Sequence, residues 1–210
     1  MKQMKMSGPR IFAAAFALAL VPTFAVAGPL HDAARMGDRT LIQELLDGGA
    51  DVNELDETGE TPLLAAALAG QTKTMDFLLQ RKADYKARND RGMTALHAAV
   101  FVGDAEAVAY FIGDGPLSVP IDINDHENKF GVTPLIVAAE ENRGNVAAYL
   151  ITSGADLEIK ERHGYTALTR ASYHSHDEII TILLKAGAAC QEVDPVWLKD
   201  CTARKAALGL

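Results

Sequence analysis

An all-α solenoid of about five helix-turn-helix repeats joined by hairpin-like loops is the fold class this sequence predicts, on three observations. The stretch Gly131-Val132-Thr133-Pro134-Leu135-Ile136-Val137-Ala138-Ala139 has close copies starting at Gly59, Gly92 and Gly164 and a degenerate one starting at Gly28. Thr61, Thr94, Thr133 and Thr166 stand 33, 39 and 33 residues apart, and Pro29 to Pro62 is again 33. A fixed period of that size marks a repeat array. Each copy is followed by a tight turn and a second apolar stretch of helical period. One such helix pair exposes an apolar face that only a neighbour can cover, so several units must stack.

The units follow one plan. In the first (28–57), Gly28-Pro29 opens a helix, because proline's missing donor would be unpaired at the first helical position in any case. Leu30, Ala33 and Ala34 form its apolar stripe, and Gly37-Asp38 breaks it. Leu41, Ile42, Leu45 and Leu46 build the second helix, which Gly48-Gly49 ends. The second unit (58–90) runs from Thr61 to Ala69, turns at Gly70 and continues through Thr74, Phe77, Leu78 and Leu79. The third (91–129) starts at Thr94, turns at Gly103-Asp104 and carries Val108, Phe111 and Ile112. In the fourth (130–162), Asn142 replaces the turn glycine before Val146, Tyr149, Leu150 and Ile151. In the fifth (163–194), Ser175 replaces it before Ile179, Ile180, Leu183 and Leu184.

Two stretches depart from the plan. The third unit holds six extra residues between Gly113 and Gly131, where Pro116 and Pro120 lie. A lengthened loop outside the stack accommodates them, either as a binding feature or as loop drift. After Asp194-Pro195 the pattern stops, and residues 195–210 are expected to form a capping helix that buries Trp197 against the last unit.

The pattern G-x-T-P-L-H-x-A-A, a turn glycine, a Leu-Leu pair and endings such as Gly49-Ala50-Asp51-Val52-Asn53 and Gly154-Ala155-Asp156-Leu157 resembles the ankyrin repeat. The resemblance covers residues 28–194 in five tandem copies. It implies that His31 and His97, at the fourth position of T-P-L-H, make structural hydrogen bonds. It also implies a concave groove, lined by hairpin tips and first helices, that recognises protein partners. Carried over by position, that groove receives Met93, Phe101, Val102, Phe130, Val132, Tyr165 and Tyr173 as an apolar and aromatic patch, flanked by charges that include Glu140. Patches of that make-up mark protein-binding sites.

The search for chemistry yields no catalytic residue and no cofactor. The sequence has no G-x-S-x-G, H-E-x-x-H, C-x-x-C or phosphate-binding glycine loop. His174-Ser175-His176, with His163 nearby, lacks the further converging donor that zinc requires, so no metal site is assigned. Glu140 and Glu141 point in different directions on a helix, and Asp122 to Glu127 lacks calcium-loop spacing. Both read as solvated acidic surface, and His126 in the inserted loop reads as solvated.

Composition adds an address. Lys2, Lys5 and Arg10 precede the apolar run Ile11 to Val21, Pro22 breaks it, and Ala25-Val26-Ala27 offers small residues for cleavage. Residues 1–27 therefore read as a secretory signal peptide, the run being about half the ~20 residues that span a bilayer. Without them 17 basic residues face 28 acidic ones, a formal charge of −11 that repels nucleic acid and anionic membranes. In an exported protein Cys190 and Cys201 read as a disulfide stapling the end of the array. The expectation is a periplasmic or secreted monomer, non-enzymatic, binding a protein partner as an accessory to an exported enzyme. The alternatives are an immunity protein neutralising a toxin and a histidine-based metal-binding protein.

Overall fold

The computed structural model describes residues 28–114, 121–193 and 195–210, so the signal-peptide reading of residues 1–27 lies outside the described residues. Among these there is no strand. The first helices of the five units are α1 (Pro29–Met36), α3 (Pro62–Leu68), α5 (Ala95–Val102), α7 (Pro134–Glu140) and α9 (Ala167–Tyr173). The second helices are α2 (Arg39–Asp47), α4 (Thr72–Gln80), α6 (Ala105–Ala109), α8 (Gly144–Thr152) and α10 (Asp177–Lys185), and α11 (Pro195–Ala207) follows. Each first helix packs on its own second helix and on the next first helix, giving the all-α solenoid that the period predicts.

Helices this short do not persist alone in water, so stacking holds them. The alanines Ala65 to Ala67, Ala98, Ala99, Ala138 and Ala139 are fully buried, small enough to let successive first helices approach closely. The repeated threonines start these helices. The hydroxyls of Thr61, Thr133 and Thr166 accept from the backbone N–H three residues on, at 3.3, 3.2 and 3.4 Å. Asp38 and Asp104 do the same for α2 and α6. Such caps contribute about 1 kcal/mol each. Asn142 and Ser175 adopt left-handed backbone at φ 56° and 58°, confirming that they stand in for the turn glycine.

The third unit departs from the periodic pattern. Val108, Phe111 and Ile112 read as one helix, but α6 ends at Ala109 and the chain passes into a π-helical turn, Tyr110–Asp114, with Gly113 at φ 114°. The extra residues fall in two places. Ile112 and Asp122 are ten apart where Leu46 and Asp51, or Ile151 and Asp156, are five, and one more residue lies between Asn124 and Asn128. Register is restored by a recurring turn in which Asp51, Asp84, Asp122 and Asp156 each accept from the N–H two residues on. His126 thus sits beside the single extra residue rather than in the longer insertion, and it is exposed.

Cys190 and Cys201 form a disulfide, with Cα atoms 5.9 Å apart, closing a loop that contributes about 3 kcal/mol. The cap differs from expectation. Trp197 is half-buried, and Cys201 is the buried residue of α11. The helix lacks a continuous apolar stripe, so the disulfide and the Arg204–Asp177 ion pair at 2.7 Å tether it. Gln191 finishes the stack, its side-chain oxygen accepting from the Thr166 N–H at 3.1 Å and from the Thr169 hydroxyl.

Candidate protein-interaction face

The four turns between units are each shaped by one side chain placed three residues before the turn glycine: Asp56, Asn89, Asn128 and Glu161. Asp56 accepts from the N–H of Thr58 and of Glu60, at 2.9 and 3.0 Å. Asn89 accepts from Arg91 and Met93, both at 3.0 Å, and Asn128 from Phe130 and Val132. Glu161 accepts from His163 and Tyr165. Neighbouring turns are bonded together as well. The Asp90 N–H donates to Thr58 O at 3.2 Å, Lys129 to Arg91 O at 2.9 Å and Arg162 to Phe130 O at 3.0 Å.

This geometry corrects part of the expected patch. Met93 and Val132 are 0% exposed, packed into the core while their N–H groups reach the turn-holding side chains; Tyr165, at the same position of the fourth turn, makes the same bond yet stays half-buried. Glu140 is also 0% exposed and Glu141 half-buried, so neither is the solvated carboxylate expected. Phe101, Val102, Phe130, Tyr165 and Tyr173 remain half-buried on the side formed by the turns and the ends of α5 and α9.

The fourth-position histidines are scaffold. His31 Nε2 lies 2.8 Å from Glu60 O, and His97 Nε2 lies 3.2 Å from both Val132 O and Asp125 O, each bridging to the next unit. The other His97 nitrogen meets the Thr94 hydroxyl at 2.9 Å. Burial holds the His97 imidazole below its ordinary value of 6.5, against the Asp125 charge and the Val132 carbonyl, which favour its proton. The unfolded state therefore binds a proton that the folded one refuses, and stability falls as pH drops below about 6.5. Urea midpoints at about pH 7.5 and about 5.5 are expected to diverge less in His97→Gln than in the native protein.

Two charged clusters escaped the sequence reading. Arg35 reaches Asp56 at 3.2 Å and Glu60 at 3.4 Å, tying α1 to the first turn. Burial and then the Asp56 charge raise the Glu60 carboxyl above its ordinary value, with Arg35 opposing. At Asp56 burial acts the same way, but hydrogen bonds from Thr58 and Glu60 outweigh it and hold that carboxyl low. At the fourth turn Glu161, whose side chain is 0% exposed, pairs with Arg170 at 3.2 Å, and the guanidinium lies 5.2 Å from the Tyr165 ring centre. The fixed distance from each turn glycine was the signal for Asp56 and Glu161. Nothing local pointed to Arg35 or Arg170.

The histidines with a metal reading do separate work. His163 Nδ1 meets Glu161 at 2.8 Å, His176 Nδ1 meets Ala139 O at 2.9 Å, and the His174 and His176 rings stack. Among the described residues no three His, Cys, Asp or Glu side chains group as metal ligands would. No helix among them is long and apolar enough to cross a membrane.

A family model of ankyrin repeats, three copies long, matches residues 30–125 and 117–194. The chain is similar to human neurogenic locus notch homolog protein 2, 34% identical over 160 residues, which are 76% of this chain and 5% of that protein. It is similar to the chicken nuclear factor NF-kappa-B p105 subunit, 31% identical over 161 residues, 76% of this chain and 16% of that one. A shorter match, 39% over 62 residues, covers 29% of this chain and 7% of mouse ankyrin repeat and SAM domain-containing protein 6. The chain thus corresponds to a small part of each relative's length. With the period, the stacked helix pairs and the hydrogen-bonded turns in agreement, this chain belongs to the ankyrin-repeat family, a scaffold for protein–protein interaction.

Proposed function

We propose that this protein is an exported, non-enzymatic scaffold that binds a protein partner through the face formed by its turns and first helices, acting as an accessory to an exported enzyme. The observation that carries the reading is the row Phe101, Val102, Phe130, Tyr165 and Tyr173, which keeps aromatic and apolar surface in contact with solvent between charged turns. Partly exposed aromatics at the centre of such a face are what binding hot spots are made of. Export is supported by the tripartite pattern of residues 1–27 and by the Cys190–Cys201 disulfide, a bond that persists in oxidising compartments.

The test is a pull-down from a periplasmic extract with the native protein and a Phe101→Asp/Phe130→Asp variant, circular dichroism verifying the variant's fold. The native protein is expected to retain one partner that the variant loses. Equal capture by both forms would move the binding face to the opposite side of the stack. An enzyme among the captured proteins supports the accessory role, whereas a toxin supports the immunity reading.

A further inference from the structure

The fingertips carry their charges in a fixed order. The residue directly after each turn-holding side chain is Glu57, Asp90, Lys129 and Arg162, and all four are exposed. The bonds from Asp90 to Thr58, Lys129 to Arg91 and Arg162 to Phe130 lock these positions side by side, so along one edge the sequence of charge is two carboxylates and then two cations. The cationic half is not neutralised by its surroundings. Lys129, Lys160 and Arg162 line one open groove. Of the carboxylates beside it, Asp125 pairs with Arg88 at 3.0 Å and Glu161 with Arg170 at 3.2 Å, the exposed Glu127 is 3.5 Å from Arg88, and Asp90, the nearer member of the carboxylate half, bounds the same groove. A chain with a formal charge of −11 after residues 1–27 attracts basic partners in general. This half of the edge does the opposite.

We propose that the row selects an extended partner segment with its charge split in the complementary order, cationic side chains over Glu57 and Asp90 and carboxylates over Lys129 and Arg162. The proposal rests on the reading that the turns belong to the partner-binding face. The spacing fits a particular backbone. Packed helices lie about 8–10 Å apart, which sets the pitch of the fingertips. A polyproline II chain advances about 9 Å in three residues and returns every third side chain to the same side. The partner is therefore an extended segment with charges at every third residue and one change of sign midway. Complementarity of this kind confers specificity and on-rate more than affinity, and it also rejects segments of uniform charge.

The test uses synthetic peptides of about twelve residues read by fluorescence anisotropy at low salt. One carries Lys, Lys, Asp and Asp at every third position, and a second has the same composition with the two charges alternating. Two further probes carry only Lys or only Asp at those positions. The native protein is expected to bind the split peptide at least about tenfold more tightly than the alternating one, and the difference is expected to vanish at about 0.5 M salt. Glu57→Lys/Asp90→Lys is expected to move the preference to the all-Asp probe, and Lys129→Glu/Arg162→Glu to the all-Lys probe. Equal binding of the split and alternating peptides, no binding of either, or an unchanged preference in the variants would each overturn the proposal. These probes carry no aromatic anchors, so their outcome is independent of whether Phe101 and Phe130 hold the natural partner.

Discussion

Arg170→Met is expected to destabilise the protein by about 3–5 kcal/mol, because it leaves the Glu161 carboxylate buried without its cation. Glu161 would retain the N–H groups of His163 and Tyr165 and the contact with the exposed His163 ring at 2.8 Å, yet these shape the turn and leave no permanent cation beside the carboxylate. Adding Glu161→Gln to the same protein replaces the stranded anion with a neutral amide and is expected to recover part of the loss. Urea denaturation of the two single variants and the double variant gives the coupling between the residues directly. A loss below about 1 kcal/mol in Arg170→Met would mean that water reaches the carboxylate. The fourth turn is expected to loosen together with the fold, since Tyr165 and His163 are held through Glu161 and Arg170.

Phe111→Ala is expected to cost about 3–5 kcal/mol and to divide one cooperative transition into two. Phe111 is fully buried in the π-helical turn that follows α6, at the centre of the five units. In a linear stack each unit is stabilised by its neighbours alone, so a cavity in the third weakens both of its interfaces at once. The first two units and the last two, stapled by Cys190–Cys201, should then melt separately. Differential scanning calorimetry is expected to show a single peak for the native protein and two for the variant. One peak shifted to lower temperature would mean that the interfaces remain strong enough to transmit the loss along the whole array.

How far the sequence could be read followed from how local each constraint is. The helix pairs were legible because threonine caps, turn residues and apolar stripes recur within each unit, and Asn142 and Ser175 could be aligned with glycine by position alone. The Cys190–Cys201 bond was legible because two cysteines near one end allow a single internal pairing. The π-helical turn at Tyr110 was not, since the helical period of Val108, Phe111 and Ile112 is nearly the same with or without it. The candidate face was legible only in outline. Position in the repeat placed Phe101, Phe130 and Tyr173 at the surface, where they are half-buried, but it also placed Met93, Val132 and Glu140 there when they are buried. At the position after the turn glycine Met93 and Val132 are buried and Tyr165 is half-buried, so place in the repeat does not fix facing there. Arg35 and Arg170 find their carboxylates across a turn, 21 and 9 residues away in sequence, so no local pattern announces them.

The division of labour within each turn has a consequence for how this protein changes over time. Because Asp56, Asn89, Asn128 and Glu161 carry the shape of the loop with their own side chains, and the residue that follows bonds the neighbouring turn through its backbone N–H at Asp90, Lys129 and Arg162, the side chain of that residue is left without a part in holding the loop. Mutation at those four sites can therefore redraw the pattern presented to a partner while the framework stays intact, and a lineage can acquire new recognition one fingertip at a time without first surrendering the old fold.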